Sequence, residues 1–275
     1  MNTSTSSLIQ KEQPKPTLAV ALIVKNEARL LEQCLQSVVK LADEIVILDS
    51  GSTDETEAIA RRYTDKFYTN TEWPGFGPQR QLAQSYVNAD WVLWLDADEV
   101  VTEELADSIC DVLSQNKNHR IYSLRRLSWA FGRYIRYGSW NPDVVARLYP
   151  TSLSGYNNNL VHESVIIPEG VKVITLEGRL LHYTFNDMAE YMAKSVKYAE
   201  AWAEQRALAG QSAGISKAVF KSLGRFFRDY IFKRGFLDGR AGFMITAITM
   251  QEVFNKYSML HYKSKEKSDR ENPSK

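Results

Sequence analysis

Three short apolar runs, Leu18–Val24 (LAVALIV), Glu44–Asp49 (EIVILD) and Trp91–Leu95 (WVLWL), each break off into polar or acidic residues. Runs this short, bounded by turn-forming residues, fit strands buried on both faces of a parallel sheet. Helical spacing fills the gaps between them. Residues 28–40 place Leu31, Leu35 and Val38 on one face, and residues 79–87 and 102–114 also read as helices. Phe67 and Tyr68 suit a short additional strand. SGSTDETEAIARRY starts as a turn and becomes a helix, with Ser52 or Thr53 as its cap and Asp54, Glu55 and Glu57 near its positive end. The alternation predicts a doubly wound α/β fold, which binds ligands beyond the carboxyl ends of its strands. The first strand runs into KNEARL without the GxGxxG that lets backbone meet a pyrophosphate, so a generic dinucleotide-binding dehydrogenase is disfavoured. Gly75-Phe76-Gly77-Pro78 reads as a bent connection.

The third run ends in Asp96, Asp98 and Glu99. If the chain stays extended, Asp96 and Asp98 share one face with Cα atoms ~6–7 Å apart. Two carboxylates beside an apolar strand repel each other and lose hydration, and a cation relieves both. Oxygen ligands favour Mg²⁺ or Mn²⁺, which can also hold a diphosphate. A solvated acidic turn is the plain alternative. No CxxC or HxxxH spacing supports a dedicated zinc site.

The 275 residues suffice for one large α/β domain with a C-terminal appendix, or for two small domains. We expect a flexible polar lead over 1–17 and an α/β domain over 18–185, divided into two parts (18–115 and 116–185). A helical extension over 186–262 and a fraying polar tail over 263–275 would follow. Between Ile121 and Leu181 the candidate strands are short and separated by Gly, Asn and Pro. Arg125, Arg126, Trp129, Tyr134, Tyr137 and Trp140 crowd this section, where aromatic faces and hydrogen-bonding groups suit a sugar or ordinary packing.

VKNEA (24–28), DSGSTDET (49–56), WLDADE (94–99), RLY (147–149), VHE (161–163) and LLHYT (180–184) follow one another in order. In that order they resemble the family 2 glycosyltransferases of the GT-A fold, a Rossmann-like α/β fold for nucleotide-diphosphate sugars. Within the family the resemblance is to bacterial lipopolysaccharide inner-core β-1,4-glucosyltransferases. It implies a metal-dependent inverting transferase with Mg²⁺ or Mn²⁺ as cofactor, its catalytic domain over 18–185 divided into a donor half (18–115) and an acceptor half (116–185). The implied donor is a nucleotide sugar such as UDP-glucose, and the implied acceptor a heptose of a lipid-linked core oligosaccharide. Another nucleotide sugar and another envelope glycan are the alternative. Glu27, Asp49 and Asp96 fall to the donor, with Arg80 and Gln81 as further donor contacts, although the wider family often carries Arg-Asn where this chain has Arg80-Gln81. Asp98 is the principal metal candidate, joined by Asp96 and His182. Glu163 is the candidate base: a carboxylate can take a hydroxyl proton as the glycosidic bond forms. His162 could orient Glu163 or pack beside it. Arg147, Trp140 and Arg126 are acceptor or phosphate candidates, and Arg147 fits a structural ion pair equally well. A sugar-nucleotide synthase or a non-enzymatic glycan-binding or scaffold protein are competing readings; they predict pyrophosphate release and no donor turnover, respectively.

The net charge is only +1, yet Lys217, Lys221, Arg225, Arg228, Lys233, Arg234 and Arg240 fall within one stretch. There Phe220, Leu223, Phe227, Tyr230 and Ile231 form an approximate helical face. Such a segment can lie on the anionic inner face of a membrane, or can cover the catalytic domain. DGRAGF could bend into a second interfacial hairpin. The lipid-linked acceptor that the resemblance implies favours the membrane reading, so the expected location is cytoplasmic and peripheral on the bacterial inner membrane. No nucleic-acid motif accompanies these basic residues, and no apolar run approaches the ~20 residues of a membrane span.

Overall fold

The computed structural model describes residues 15–183 and 188–271. Most of the expected lead, the boundary drawn at 185/186 and the last four residues lie outside the described residues. The chain forms two compact units, each assembled from separate stretches. One holds residues 15–97, 101–124 and 146–178, and the other 98–100, 125–145 and 179–271. Residues 98–100 and 125–145 thus group with the helical region, a division the sequence boundaries did not draw.

The first unit opens with β1 (Leu18–Val24), α1 (Leu31–Val38), β2 (Glu44–Asp49), α2 (Thr56–Ala60), β3 (Phe67–Thr69), α3 (Phe76–Gln84) and β4 (Trp91–Trp94). β1 pairs in parallel with β2 and β4, and β2 with β3, giving the order β3-β2-β1-β4. This is the doubly wound topology, with its switch point between β1 and β4. The strands are almost wholly buried because both faces are covered. β5 (Glu99–Val101) and α4 (Glu103–Gln115) lead to β6 (Arg120–Ala130). β8 (Asp143–Pro150) pairs antiparallel with β4, and β9 (Lys172–Thr175) runs parallel to the start of β6. The core gathers Ala21, Leu48, Val92, Trp94, Ile121, Tyr149 and Tyr156.

The second unit takes the end of β6 with β7 (Arg133–Tyr134), and β10 (Leu180–His182) lies between β6 and β5. Its helices are α5 (Met188–Leu208), α6 (Ile215–Phe227) and α7 (Gly239–Glu271). Small apolar clusters pack α7 against its neighbours: Ala203, Ala207, Ala213 and Leu260 join it to α5, and Ala130, Ile135, Ala241 and Ile245 join it to the end of β6.

Several local expectations change. Gly75–Pro78 is the entrance to α3 and not a bend, because Pro78 sits in the first turn, where a missing N–H costs nothing. Neither Ser52 nor Thr53 caps α2; their polar groups bind Asp49 and Asn26, and Asp54 serves Thr56. The middle section holds an 11-residue strand, β6, instead of only short ones. DGRAGF starts α7 and does not form a hairpin, with Asp238 fully buried and bound by the backbone N–H of Arg136 and Tyr137. The segment after Lys263 stays helical to Glu271. A π-helical turn over 228–232 follows α6, shifting the register there. Tyr230 consequently packs on Phe226, Phe236 and Phe243 instead of extending the exposed stripe.

Candidate active site

The loops after β1 and β2 are stitched together by polar side chains. Asn26 takes φ 56°, a left-handed conformation that Asn tolerates well. Its N–H donates to Ser52 Oγ, and its side-chain oxygen accepts from Thr53 N, both at 2.8 Å. Glu27 N donates to Thr56 Oγ1 at 2.8 Å, and Ala28 N to Asp54 at 3.1 Å. Burial tends to raise the Asp54 pKa, but donors from Thr56 and Ala28 outweigh it and hold the carboxyl below its usual value. Asp49 is buried at the end of β2, where its oxygens accept from Gly51 N and from the Ser52 N–H and hydroxyl. Beside these loops is a cleft of about 450 Å³, walled by Ile23, Lys25, Glu27, Ser50, Trp73 and Phe76. Trp73 and Phe76 meet edge to face at 4.9 Å and remain partly open to solvent. Sequence reasoning missed Trp73 and took Phe76 only as part of a bent connection that could touch substrate; Trp-Pro-Gly-Phe before a helix was the available signal.

Past the end of β4, Asp96 accepts from Arg80 Nη2 and from Arg147 Nη2, each at 2.6 Å. Arg80 also donates through Nε to Glu163 at 3.1 Å, so one guanidinium bridges two carboxylates. Its side chain is only 4% exposed and lies between Trp94 and Tyr156, 5.2 and 4.9 Å from the ring centres. Burial would lower the Arg80 pKa, but Tyr156 and Asp96 raise it above its usual value. Arg80 Nη1 is buried without a hydrogen-bond partner, which leaves one donor of the fork unspent. Arg147 reaches Tyr156 Oη at 3.2 Å. Burial pushes the neighbouring Tyr149 phenol well up, so it serves Trp94 and Gln84 as a neutral hydrogen-bonding group.

Glu163 reaches Arg80 from a loop that α3 holds. Phe76 N and Gly77 N donate to the carbonyls of Leu160 and Asn159, both at 3.0 Å. Gln81 donates to Tyr156 O at 2.7 Å and Asn158 Oδ1 at 2.8 Å. His162 has φ 57° and an exposed side chain, whereas Glu163 turns inward and is 16% exposed. Arg80, not His162, is therefore the hydrogen-bonding partner of the Glu163 carboxylate.

The chain turns at Ala97–Asp98 instead of staying extended, and Asp98 begins the second unit. Tyr183 N donates to Asp98 O at 2.9 Å, and the Asp98 carboxylate lies 3.3 Å from His182 Nε2. Burial opposes charge on His182, but Asp98 and Glu99 outweigh it and raise its pKa. Arg126 bonds Asp143 at 2.9 Å and the buried Glu99 at 3.3 Å, so it holds β6, β8 and β5 together. A cleft of about 400 Å³ includes His182, Trp140, Tyr191, Lys194, Tyr198 and Arg225 in its walls.

Residues 19–160 match the model of glycosyl transferase family 2. The chain belongs to this family. A similar relative is a lipopolysaccharide core biosynthesis glycosyltransferase of Rhizobium meliloti, 28% identical across 90% of this chain and 95% of that one. An uncharacterized glycosyltransferase of Rickettsia bellii is also 28% identical, across 84% and 81% respectively. Among solved structures, S. aureus TarS shares 16% identity, with a TM-score of 0.44 over 66% of this chain and 39% of its own. Glucosyl-3-phosphoglycerate synthase of Mycobacterium tuberculosis, in complex with Mg²⁺ and UDP, shares 23% identity with a TM-score of 0.34, over 42% and 43%. The chain thus spans most of these curated relatives and less than half of either solved chain.

For this family 2 transferase, Glu163, Arg80, Asp96 and Arg147 come together as one network, and His182 meets Asp98. Both Asp96 oxygens accept guanidinium donors, which makes Asp96 an ion-pair member here. Gln81 positions the 156–158 backbone, and Arg126 sits between two carboxylates. Asp98 and His182 fit a divalent ion as one hard oxygen and one imidazole donor. No group of three or more His, Cys, Asp or Glu that could hold a metal occurs among the described residues, so remaining ligands would come from substrate phosphate and water. Of the basic residues assigned to a membrane face, Arg225 and Arg228 both clasp the buried Asp229.

Proposed function

We propose that this family 2 transferase moves a sugar from a nucleotide donor, with UDP-glucose the first candidate, onto a heptose of a lipid-linked lipopolysaccharide core, with inversion at the anomeric carbon. The observation that carries the reading is the Glu163–Arg80–Asp96–Arg147 network, which holds an inward-facing carboxylate on a loop anchored to α3. The Trp73–Phe76 cleft beside Glu27 offers an aromatic wall to a nucleoside. The core-biosynthesis relative, alike over nearly the whole of both chains, supports the choice of acceptor. Another nucleotide sugar and another envelope glycan are compatible with the same network.

Glu163 takes the proton of the acceptor hydroxyl as that oxygen attacks the anomeric carbon. Its hydrogen bond to Arg80 fixes the carboxylate in place beforehand. Asp98 and His182 would hold Mg²⁺ or Mn²⁺. That ion, when bound, neutralises charge on the departing nucleoside diphosphate. The transfer needs no covalent glycosyl-enzyme intermediate. In the second unit, Trp140 and Tyr198 supply ring faces, and Lys194 a cation, for a sugar acceptor.

The test is one incubation of purified protein with Mg²⁺ or Mn²⁺, a panel of nucleotide sugars and truncated core acceptors, read by mass spectrometry. The reading predicts one glycosylated core product and release of nucleoside diphosphate. Pyrophosphate release from a nucleoside triphosphate, or no product with any donor, would overturn it.

A further inference from the structure

A second cleft of the helical unit has no part in the chemistry above. It measures about 590 Å³ and is lined by Trp202 from α5, by Phe220, Lys221, Gly224, Arg225 and Arg228 from α6 and its end, and by Val253, Lys256 and Tyr257 from α7. Among the described residues, four cations line it and no acid does. Asp229 and Glu252 offset two of the four through Arg225, Arg228 and Lys256, leaving an excess of positive charge. The cations alternate with ring faces. Lys217 and Arg206, close to the lining residues, rest over Tyr257 and Trp202 at 5.6 and 4.0 Å.

The surface next to it is apolar where a water-facing helix should be polar. Phe220 is 76% exposed, and Leu223, Phe227 and Ile231 continue from it at helical intervals. Phe232, at the π-helical turn, is 80% exposed. Lys221, Arg228, Lys233 and Arg234 are exposed along the same stretch. Exposed phenylalanines flanked by long cations match the depth profile of a lipid interface: rings among the acyl chains, ammonium and guanidinium groups at the phosphates. A protein partner could bury the rings but has no general reason to supply phosphate. No helix among the described residues is long and apolar enough to cross a membrane.

We propose that this cleft binds the phosphate of an anionic phospholipid headgroup while Phe220, Phe227 and Phe232 enter the acyl region. Phe220 joins the two functions, since it lines the cleft and begins the stripe. Arg225 lines both this cleft and the one that contains His182 and Trp140, so a lipid headgroup here borders the acceptor cleft of the same unit. The biological sense rests on the lipid-linked acceptor. Lipid binding itself requires no donor or sugar transfer, so its failure is separable from failure of the enzymatic reading.

The experiment is flotation of the full chain with phosphatidylcholine vesicles and with vesicles containing about one-third phosphatidylglycerol, each in low and high salt. We expect flotation with the anionic vesicles only, weakened by salt. Lys221→Ala/Arg228→Ala should lower apparent partitioning by roughly thirty-fold, from about five- to sixfold per basic residue at the surface. Phe220→Ser/Phe232→Ser should also reduce it, with circular dichroism and melting temperature showing that both variants fold. Millimolar glycerol phosphate should not displace the protein. Equal flotation with both vesicle types, no flotation at all, or full binding by the folded charge variant would overturn the proposal. Saturable binding of glycerol phosphate without vesicle association would identify a soluble-phosphate site instead and would also overturn it.

Discussion

Replacing Arg80 with methionine keeps most of its volume and removes its charge. Two charge-assisted hydrogen bonds vanish, to Asp96 at 2.6 Å and to Glu163 at 3.1 Å. Each such bond is worth about 1.5–3 kcal/mol net. Asp96 keeps Arg147 and is partly solvated, so its share falls at the low end. Glu163 is left more nearly uncompensated. The desolvation cost of the buried guanidinium is recovered, and methionine still packs between Trp94 and Tyr156. The balance is a destabilisation of about 3 kcal/mol, at the low end of the ~3–5 kcal/mol for breaking a fully buried pair. Denaturant unfolding followed by tryptophan fluorescence reads it, and the Glu163→Gln cycle isolates one arm, with an expected coupling of about 1–2 kcal/mol. Arg80→Lys should recover less than half, because an ammonium cannot span both carboxylates. A loss below about 0.5 kcal/mol in Arg80→Met with no coupling to Glu163 would refute the claim that this guanidinium holds the carboxylate in place.

Gly77→Ala should displace the Glu163 loop: the new Cβ would lie 2.1 Å from Asn157 O and 2.7 Å from Asn159 O. The expected cost is about 1–3 kcal/mol, with kcat falling more than donor affinity, as calorimetry and kinetics can show. Asp98→Asn should abolish metal-stimulated transfer while leaving the melting temperature nearly unchanged in chelator, since its carboxylate is partly solvated; full stimulation in this variant would remove Asp98 from the metal site. Asp54→Ala should cost about 1 kcal/mol through the lost turn acceptor. Because the Asp54 pKa is depressed in the fold, its contribution is present above the unfolded value of 3.8 and fades as pH falls through the lower folded value. Wild type and variant should therefore converge in acid unfolding.

Much of the first unit was legible because its signals are local. LAVALIV, EIVILD and WVLW became β1, β2 and β4, and α5, α6 and most of α7 fall inside the helical extension expected over 186–262. The loops after β1 and β2 carried their own motifs. The network did not announce itself, since Arg80 and Glu163 lie 83 residues apart and a single Arg in a helix has many possible partners. The sequence shows two acids flanking Ala97 and hides the arginines that fold onto Asp96. Pro78 resembled a breaker, although the first helical turn tolerates it. The apolar stripe through Tyr230 assumed uniform helical geometry, which the π-helical turn interrupts. Lys194 and Tyr198 carried no motif; the cleft exists only once α5 packs against α7.

Glucosyl transfer by the Glu163→Gln variant tests the central claim most directly. With donor, divalent ion and core acceptor, product formation should fall by about 10²–10⁴-fold, the usual contribution of a general base. Donor affinity, measured separately, should change by less than about threefold, since a neutral amide can still accept from Arg80. Transfer at near wild-type rate by the folded variant would show that another group takes the hydroxyl proton.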